Sequence, residues 1–214
     1  SSAPGNSVTQ WRWDFGDGSP ISNVQNPTHT YTTAGPFTVT LNVTSAAGCA
    51  TVNNAATRTV NVRTLPTANV IGAATVCQNG TEPTITFTGA GGTAPYTFTY
   101  SIDNGSGPVV QAPVTTVSGN SRTINVPTTV AGTFRYALVN VQEGSTASCS
   151  QAQTGFVDVL VRPLPGATIT GATEVCVNAP SPSITFTGSN GVAPYIFHYR
   201  INSGPIQTIV TTVG

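Results

Sequence analysis

Alternation organises this chain. In YTFTYSI (96–102), Tyr96, Phe98, Tyr100 and Ile102 fall on one side of an extended backbone, with Thr97, Thr99 and Ser101 on the other. That is the period-two pattern of a strand with one buried face. The pattern recurs in FTVTLNVT (37–44), RTVNV (58–62), ITFTG (85–89), TFRYALVNV (133–141) and GFVDVLV (155–161), with Gly, Pro and Asn clusters such as DNGSGP (103–108) between runs. No helix is predicted. About seven short strands per 100 residues predict an immunoglobulin-like β-sandwich, so the fold class is all-β. Composition agrees: 37 of the 214 residues are Thr, which with Val and Ile supplies the branched side chains that suit a pleated surface.

The pattern repeats. VRTLPTANVIGAATVCQNGTEPTITFTGAGGTAPYTFTYSI (62–102) is answered at an offset of 99 by VRPLPGATITGATEVCVNAPSPSITFTGSNGVAPYIFHYRI (161–201), Cys77 falling on Cys176 and Tyr96 on Tyr195. A period this long indicates an array of whole domains, since solenoid units are shorter. The expected units are residues 1–63, a complete repeat at 64–163 and part of a second at 164–214. Both outer units are expected to be cut short. They meet at Arg63-Thr64-Leu65-Pro66 and Arg162-Pro163-Leu164-Pro165. Such short Pro-containing joints resist bending and predict an extended, semi-rigid rod.

Charge narrows the function. Seven Arg, no Lys and seven acidic residues give net charge zero, so there is no basic surface for a nucleic acid. No apolar run is long enough to span a bilayer, and no signal sequence opens the chain. Thr, Ser and Asn must supply solubility, which suits an extracellular surface.

The four cysteines, 49, 77, 149 and 176, show no CxxC and no His at ligand spacing, which disfavours zinc. Cys77 and Cys149 lie near the start and end of one repeat, and the expectation is a disulfide between them. Closing that loop would stabilise by roughly 4 kcal/mol in the chain-entropy model. Cys49 and Cys176 would then pair with cysteines outside this sequence. The rival pairing of Cys49 with Cys176 would join nonadjacent units. Disulfides imply an oxidising, extracellular location.

Trp13-Asp14-Phe15-Gly16-Asp17-Gly18, Asn26-Pro27-Thr28-His29-Thr30-Tyr31 and the strand opened by Gly35-x-Phe37 together resemble a polycystic kidney disease (PKD) domain. The resemblance implies an Ig-like sandwich without catalytic activity, a spacer or adhesion module of large surface proteins and secreted hydrolases. In that setting the WDFGDG loop is expected to be a structural turn: Trp13 and Phe15 inward, Gly16 and Gly18 at positive φ, and the Asp carboxylates accepting backbone N–H bonds. The functional alternative is a calcium site on Asp14 and Asp17, supplemented only by Ser19 and Asn23, so no metal or other cofactor is expected.

The repeats, through TVCQN, ITFTGAGGTAPYTFTYSI and AGTFRY, resemble those of giant surface adhesins of gliding Bacteroidota, the SprB-type filament proteins exported by the type IX secretion system. That resemblance implies a secreted, cell-surface stalk. Its partners would be neighbouring domains of a long chain, the motility or secretion machinery, and a polysaccharide or surface ligand at a distal region. The alternative is a carbohydrate-binding or spacer module of a secreted hydrolase, for which Trp11 is the one exposed aromatic expected.

Catalytic chemistry is not expected. His29 and His198 are the only histidines, and His198 falls on an outward strand face beside Arg200. No nucleophile elbow accompanies them. Glu82, Asp103, Glu143, Asp158 and Glu174 stand singly, without the facing pair that glycoside hydrolysis needs. Gly91-Gly92 is followed by no Lys and no helix, and reads as a turn, not a phosphate loop. Asn42 and Asn79 head glycosylation sequons.

Overall fold

The computed structural model describes residues 7–51, 55–171 and 174–211; the outer limits Ser1 and Gly214 named above lie outside them. All regular elements among the described residues are strands, as the alternation requires. β1 (Val8–Asp14), β2 (Gly35–Ser45) and β3 (Ala56–Val62) form an antiparallel sheet in that order. Trp11 stands opposite Val43 and Trp13 opposite Leu41, so both tryptophans share a face.

The chain from Thr67 to Arg162 builds a two-sheet sandwich. Its strands are β4 (Thr67–Ile71), β5 (Ala74–Cys77), β6 (Thr84–Ala90), β7 (Thr97–Asp103), β8 (Val109–Val110), β9 (Val114–Thr115), β10 (Ser121–Asn125), β11 (Gly132–Gln142), β12 (Ser150–Ala152) and β13 (Phe156–Arg162). One sheet has the order β10-β6-β4; the other runs β5-β13-β11-β7-β8, with β9 on β7 and β12 on β11. β5 is the one parallel partner there, lying along β13. The core follows the predicted parity: Ile85 and Phe87 from one sheet meet Phe98, Tyr100, Tyr136, Leu138, Val157, Val159 and Val161 from the other. On the outer faces Thr86 bonds Thr123, Thr88 bonds Ser121 and Thr97 bonds Thr115, each across 2.9 Å. The Thr-rich composition thus becomes cross-strand hydroxyl pairs, a common stabiliser of sheets.

Strict alternation breaks in β7, where Ser101 is buried beside Tyr100, and again in β11. Continuing from Tyr136 and Leu138 it would bury Asn140, but the pairing with β7 shifts register between Leu138 and Asn140. Val141 turns inward instead and is fully buried. The extra residue acts as a β-bulge that gives the inward position to Val141, while Asn140 stays half-buried with its Oδ1 shut off from solvent and without a hydrogen-bond partner.

Four more strands follow. β14 (Gly166–Gly171) pairs with β15 (Ile184–Ser189), and β16 (Ile196–Tyr199) with β17 (Gln207–Val210). Shifted by 99 residues, they correspond to β4, β6, β7 and the β8–β9 region. Ala94-Pro95 and Ala193-Pro194 are both cis, so the repeat extends to backbone detail.

The expected Cys77–Cys149 bond is corrected by this topology. All four cysteines are unbridged. Cys77 pairs with Arg162, adjacent to Val161, which stands opposite Gly132 at the start of β11. The Cys149 carbonyl accepts the Glu143 N–H, just past the other end of that 11-residue strand. At about 3.3 Å per residue the two cysteines sit roughly 35 Å apart. A disulfide tolerates a Cα separation of about 7 Å at most. β5, which ends at Cys77, does lie along the late strand β13, but Cys149 lies beyond β11 at the opposite pole.

Candidate functional site

The WDFGDG loop closes β1 as a turn held by its own side chains. Asp14 Oδ1 accepts the Gly16 N–H at 2.9 Å and Asp17 Oδ1 the Ser19 N–H at 3.1 Å, two Asx turns in succession. Gly16 adopts φ +77°, and a Cβ there would lie 2.6 Å from the Thr38 carbonyl oxygen, so only glycine lets the loop approach β2. Phe15 is buried, and Trp13 donates its indole N–H to the Val24 carbonyl at 3.1 Å.

The NPTHTY segment completes this loop through a stack of rings. His29 lies flat on Phe15, with centroids 4.0 Å apart and planes 7° from parallel. Tyr31 meets His29 edge-on and stacks on Phe37 at 4.5 Å, while its hydroxyl donates to the Phe15 carbonyl. Stacking orients the imidazole so that Nε2 meets Asp17 Oδ2 at 2.7 Å. Ser19, through a hydroxyl beside the carboxylate and its N–H, and then His29 hold the Asp17 carboxyl down at about 2; burial pulls the other way. Of the two Ser19 donors, only the N–H makes a well-directed bond. The sequence placed Asp17 and His29 in separate motifs and did not pair them.

The loop therefore spends its acids on structure. Both carboxylates already accept backbone N–H bonds, and Asp17 is paired with an imidazole. Among the described residues no three His, Cys, Asp or Glu side chains gather closely enough to hold a metal ion. Calcium takes about six to eight oxygens, more than Asp14, Asp17 and a neighbouring hydroxyl offer.

A second cluster sits where β3 passes into β4. Arg63 Nη1 donates to Thr93 Oγ1 at 3.2 Å, and the Thr64 hydroxyl donates to the Gly91 carbonyl. Glu143, 3% exposed, closes the cluster from the turn after β11. Its carboxylate accepts the Ser145 hydroxyl and the N–H groups of Thr93, Ser145 and Cys149. Those bonds, the Ser145 hydroxyl foremost, hold its carboxyl at about 2 against the opposing effect of burial. As a singly placed acid it was unremarkable in the sequence; its burial depends on Gly92, where a Cβ would lie 2.7 Å from that of Glu143.

The remaining expected residues are spread over the surface. His198 is exposed on β16 and meets Thr208 at 3.1 Å, and Arg200 is exposed beside that strand. Asp158 forms a two-pronged pair with Arg135, whose guanidinium lies 4.0 Å above the half-exposed Phe156 ring. Trp11 is not the exposed platform expected: it is half-buried and lines a groove of about 740 Å³ with Arg12, Asn23 and Asn42. No helix among the described residues is long and apolar enough to cross a membrane.

Strand-only sandwiches, a turn whose acids serve the backbone, and unit-to-unit contacts made by loops define an Ig-like β-sandwich protein. Residues 1–60 match the family model of the PKD domain. The match spans the aspartate loop, the ring stack and the sheet β1–β3, under a third of the chain.

Proposed function

We propose that the chain is a stalk segment of a very large secreted cell-surface adhesin filament, serving surface adhesion and gliding motility. The PKD match supports the coarser reading, an extracellular structural or binding module. The observation that carries the stalk is the joint: four residues separate β3 from β4 and three separate β13 from β14, too few for a flexible tether. At the first, Arg63–Thr93 and Thr64–Gly91 tie loop to linker. A repeated, cross-bonded sandwich transmits load along its strands, and the work is mechanical and not catalytic. Units 1–63, 64–163 and 164–214 are the beads of this rod, and its partners are neighbouring units and the surface motility and secretion machinery.

The test is the size and shape of the native polypeptide under the electron microscope. A chain of thousands of residues forming a thin surface filament is expected. A chain of ordinary length ending in a compact globular head would overturn the reading.

The groove along Trp11, Arg12, Asn23 and Asn42 favours a second reading, a non-catalytic carbohydrate-binding module of a secreted hydrolase. An indole beside amide and guanidinium donors suits a sugar ring. Binding of the chain to insoluble glycans, lost in Trp11→Ala, would select it.

A further inference from the structure

We propose that Asn104 is a site of self-modification: its side-chain amide is converted, without an enzyme, to a carboxylate through a cyclic imide formed with Gly105. Water is the only co-reactant, and the proposal is independent of the stalk reading.

The chemistry needs an asparagine whose following amide nitrogen can reach its own side chain. The Gly105 nitrogen attacks Asn104 Cγ, the new N–C bond closes a five-membered ring, and the Cγ–Nδ2 bond breaks as ammonia leaves. Water then opens the ring at either carbonyl, giving aspartate or isoaspartate. Glycine in second place removes the side chain that would hinder closure. The sequence holds three such pairs, Asn79-Gly80, Asn104-Gly105 and Asn190-Gly191. All three asparagines are exposed, so the local fold must choose between them.

Two of the pairs are held by their surroundings. Asn79, at φ +59°, donates its N–H to the Thr128 carbonyl at 2.9 Å, and Gly80 donates to the Cys77 carbonyl at 3.0 Å. The Gly80 carbonyl takes the Thr128 hydroxyl at 2.8 Å, and a Cβ on Gly80 would lie 2.9 Å from the Cys77 oxygen. Asn190, at φ +58°, precedes a glycine whose N–H goes to the Tyr195 hydroxyl at 3.0 Å and whose Cβ would meet that ring, also at 3.0 Å. In both, the attacking nitrogen must leave a neutral acceptor and turn out of a packed site.

Asn104 differs at both ends of the bond that must form. A Cβ on Gly105 would meet nothing within 4 Å, so its peptide has room to rotate. The Gly105 N–H points at Asp103 Oδ1, 2.8 Å away, a carboxylate that draws off the proton the nitrogen must lose. Gly107 N–H, bonded to the same oxygen at 3.1 Å, keeps that carboxylate in place. Asn104 Oδ1 accepts the Ser106 N–H at 3.3 Å, which polarises the side-chain carbonyl and steadies the charge that grows on it during attack.

The repeat shows that the turn itself does not require this pair. Moved by 99 residues, Asp103, Asn104 and Gly105 become Asn202, Ser203 and Gly204, and Gly204 simply donates to the Ile201 carbonyl at 3.0 Å. Conversion makes eight acids against seven Arg, taking the net charge from zero to −1. The new carboxylate arises beside Asp103, which stands opposite Arg135.

The experiment incubates the intact 214-residue chain in mildly alkaline buffer, following each asparagine by peptide mass mapping and the whole chain by isoelectric focusing. A more acidic form is expected to accumulate, its mass change confined to the peptide holding Asn104. Conversion there should run about tenfold faster than at Asn79 or Asn190, the factor that one retained hydrogen bond is worth. In urea the three rates should converge. Asn104→Gln should suppress the charge change, because the larger ring closes far more slowly. Conversion at Asn79 or Asn190 as fast as at Asn104 in the folded chain would overturn the proposal, as would an acidic form persisting in Asn104→Gln. So would the same preference surviving in urea, since the sequence and not the fold would then be selecting.

Discussion

Units 64–163 and 164–211 are related by the 99-residue repeat, and they share the local devices around Gly89–Tyr96 and Gly188–Tyr195 while differing in the strands that flank them. In both, the strand glycine leaves room for a tyrosine ring: a Cβ on Gly89 would lie 2.5 Å from Tyr96, and one on Gly188 2.5 Å from Tyr195. Each tyrosine hydroxyl accepts the N–H of the glycine four residues before it, at 3.0 Å. Each backbone also exchanges a pair of bonds with a downstream threonine, Thr116 or Thr211. Yet burial differs at matched positions: Ile85 is 0% exposed and Ile184 57%, although Phe98 and Phe197 are both buried. Turn chemistry is set by residues within a few positions, whereas burial requires strands that arrive from far along the chain. The ring packing of Phe186 on Phe197 at 5.6 Å reproduces that of Phe87 on Phe98 at 5.7 Å, so the same ring cluster forms in both units.

The largest expected effect tests this contrast directly. Phe87→Ala removes a fully buried ring and should cost the first unit about 3–5 kcal/mol in urea unfolding. Phe186→Ala, at the matching half-buried position, should cost under about 2 kcal/mol, because its site already touches solvent. Equal losses would mean that the two cores are equivalent and would break the comparison.

Acid sharpens it next. Asp17 and Glu143 are both held near 2, below the ordinary carboxylate range, and neither has a counterpart among the described residues of 166–211. A depressed folded pKa contributes stability that is present above the unfolded value near 4 and is lost as pH falls toward 2. The units holding these acids should therefore lose Tm between about pH 4 and pH 2, followed by calorimetry. Glu143→Gln should lower Tm by several degrees at pH 7 and flatten the first repeat's acid response. An unchanged acid response would show that the carboxylate is not what holds the turn against Gly92 and Thr93.

What the sequence revealed follows the same division. FTVTLNVT, ITFTG, YTFTYSI and GFVDVLV became strands with the predicted faces, since parity is a property of neighbours. The Asx turns at Asp14 and Asp17 were legible for the same reason. Three features were not: the bulge that turns Val141 inward, the Asp17–His29 contact made through Phe15 and Tyr31, and the burial of Glu143. Each depends on registry between segments distant in sequence, for which one chain's pattern holds no period. Trp11 shows the limit from the other side. Expected to be exposed, it shares the Trp13 face of β1 and is half-buried, and how much of it is covered depends on other strands.

The smallest expected effect concerns the cysteines, where one unit's poles matter more than its sequence span. Cys77 lies at the end of the first repeat that adjoins 164–211, and Cys149 at the end that adjoins 1–63, beside Glu143. A joint Cys77→Ser, Cys149→Ser replacement under oxidising conditions should shift unfolding free energy by no more than about 0.5 kcal/mol. Peptide mapping without reduction should find no link between them. If they were stapled, the same replacement would remove roughly 4 kcal/mol and the linked peptide would be seen. That result would require β11 to run the other way relative to β5 and β13, since no local adjustment closes roughly 35 Å of strand. A bond from either cysteine must therefore reach outside its own repeat, and its stabilising effect would fall on the joint between units and not on the sandwich.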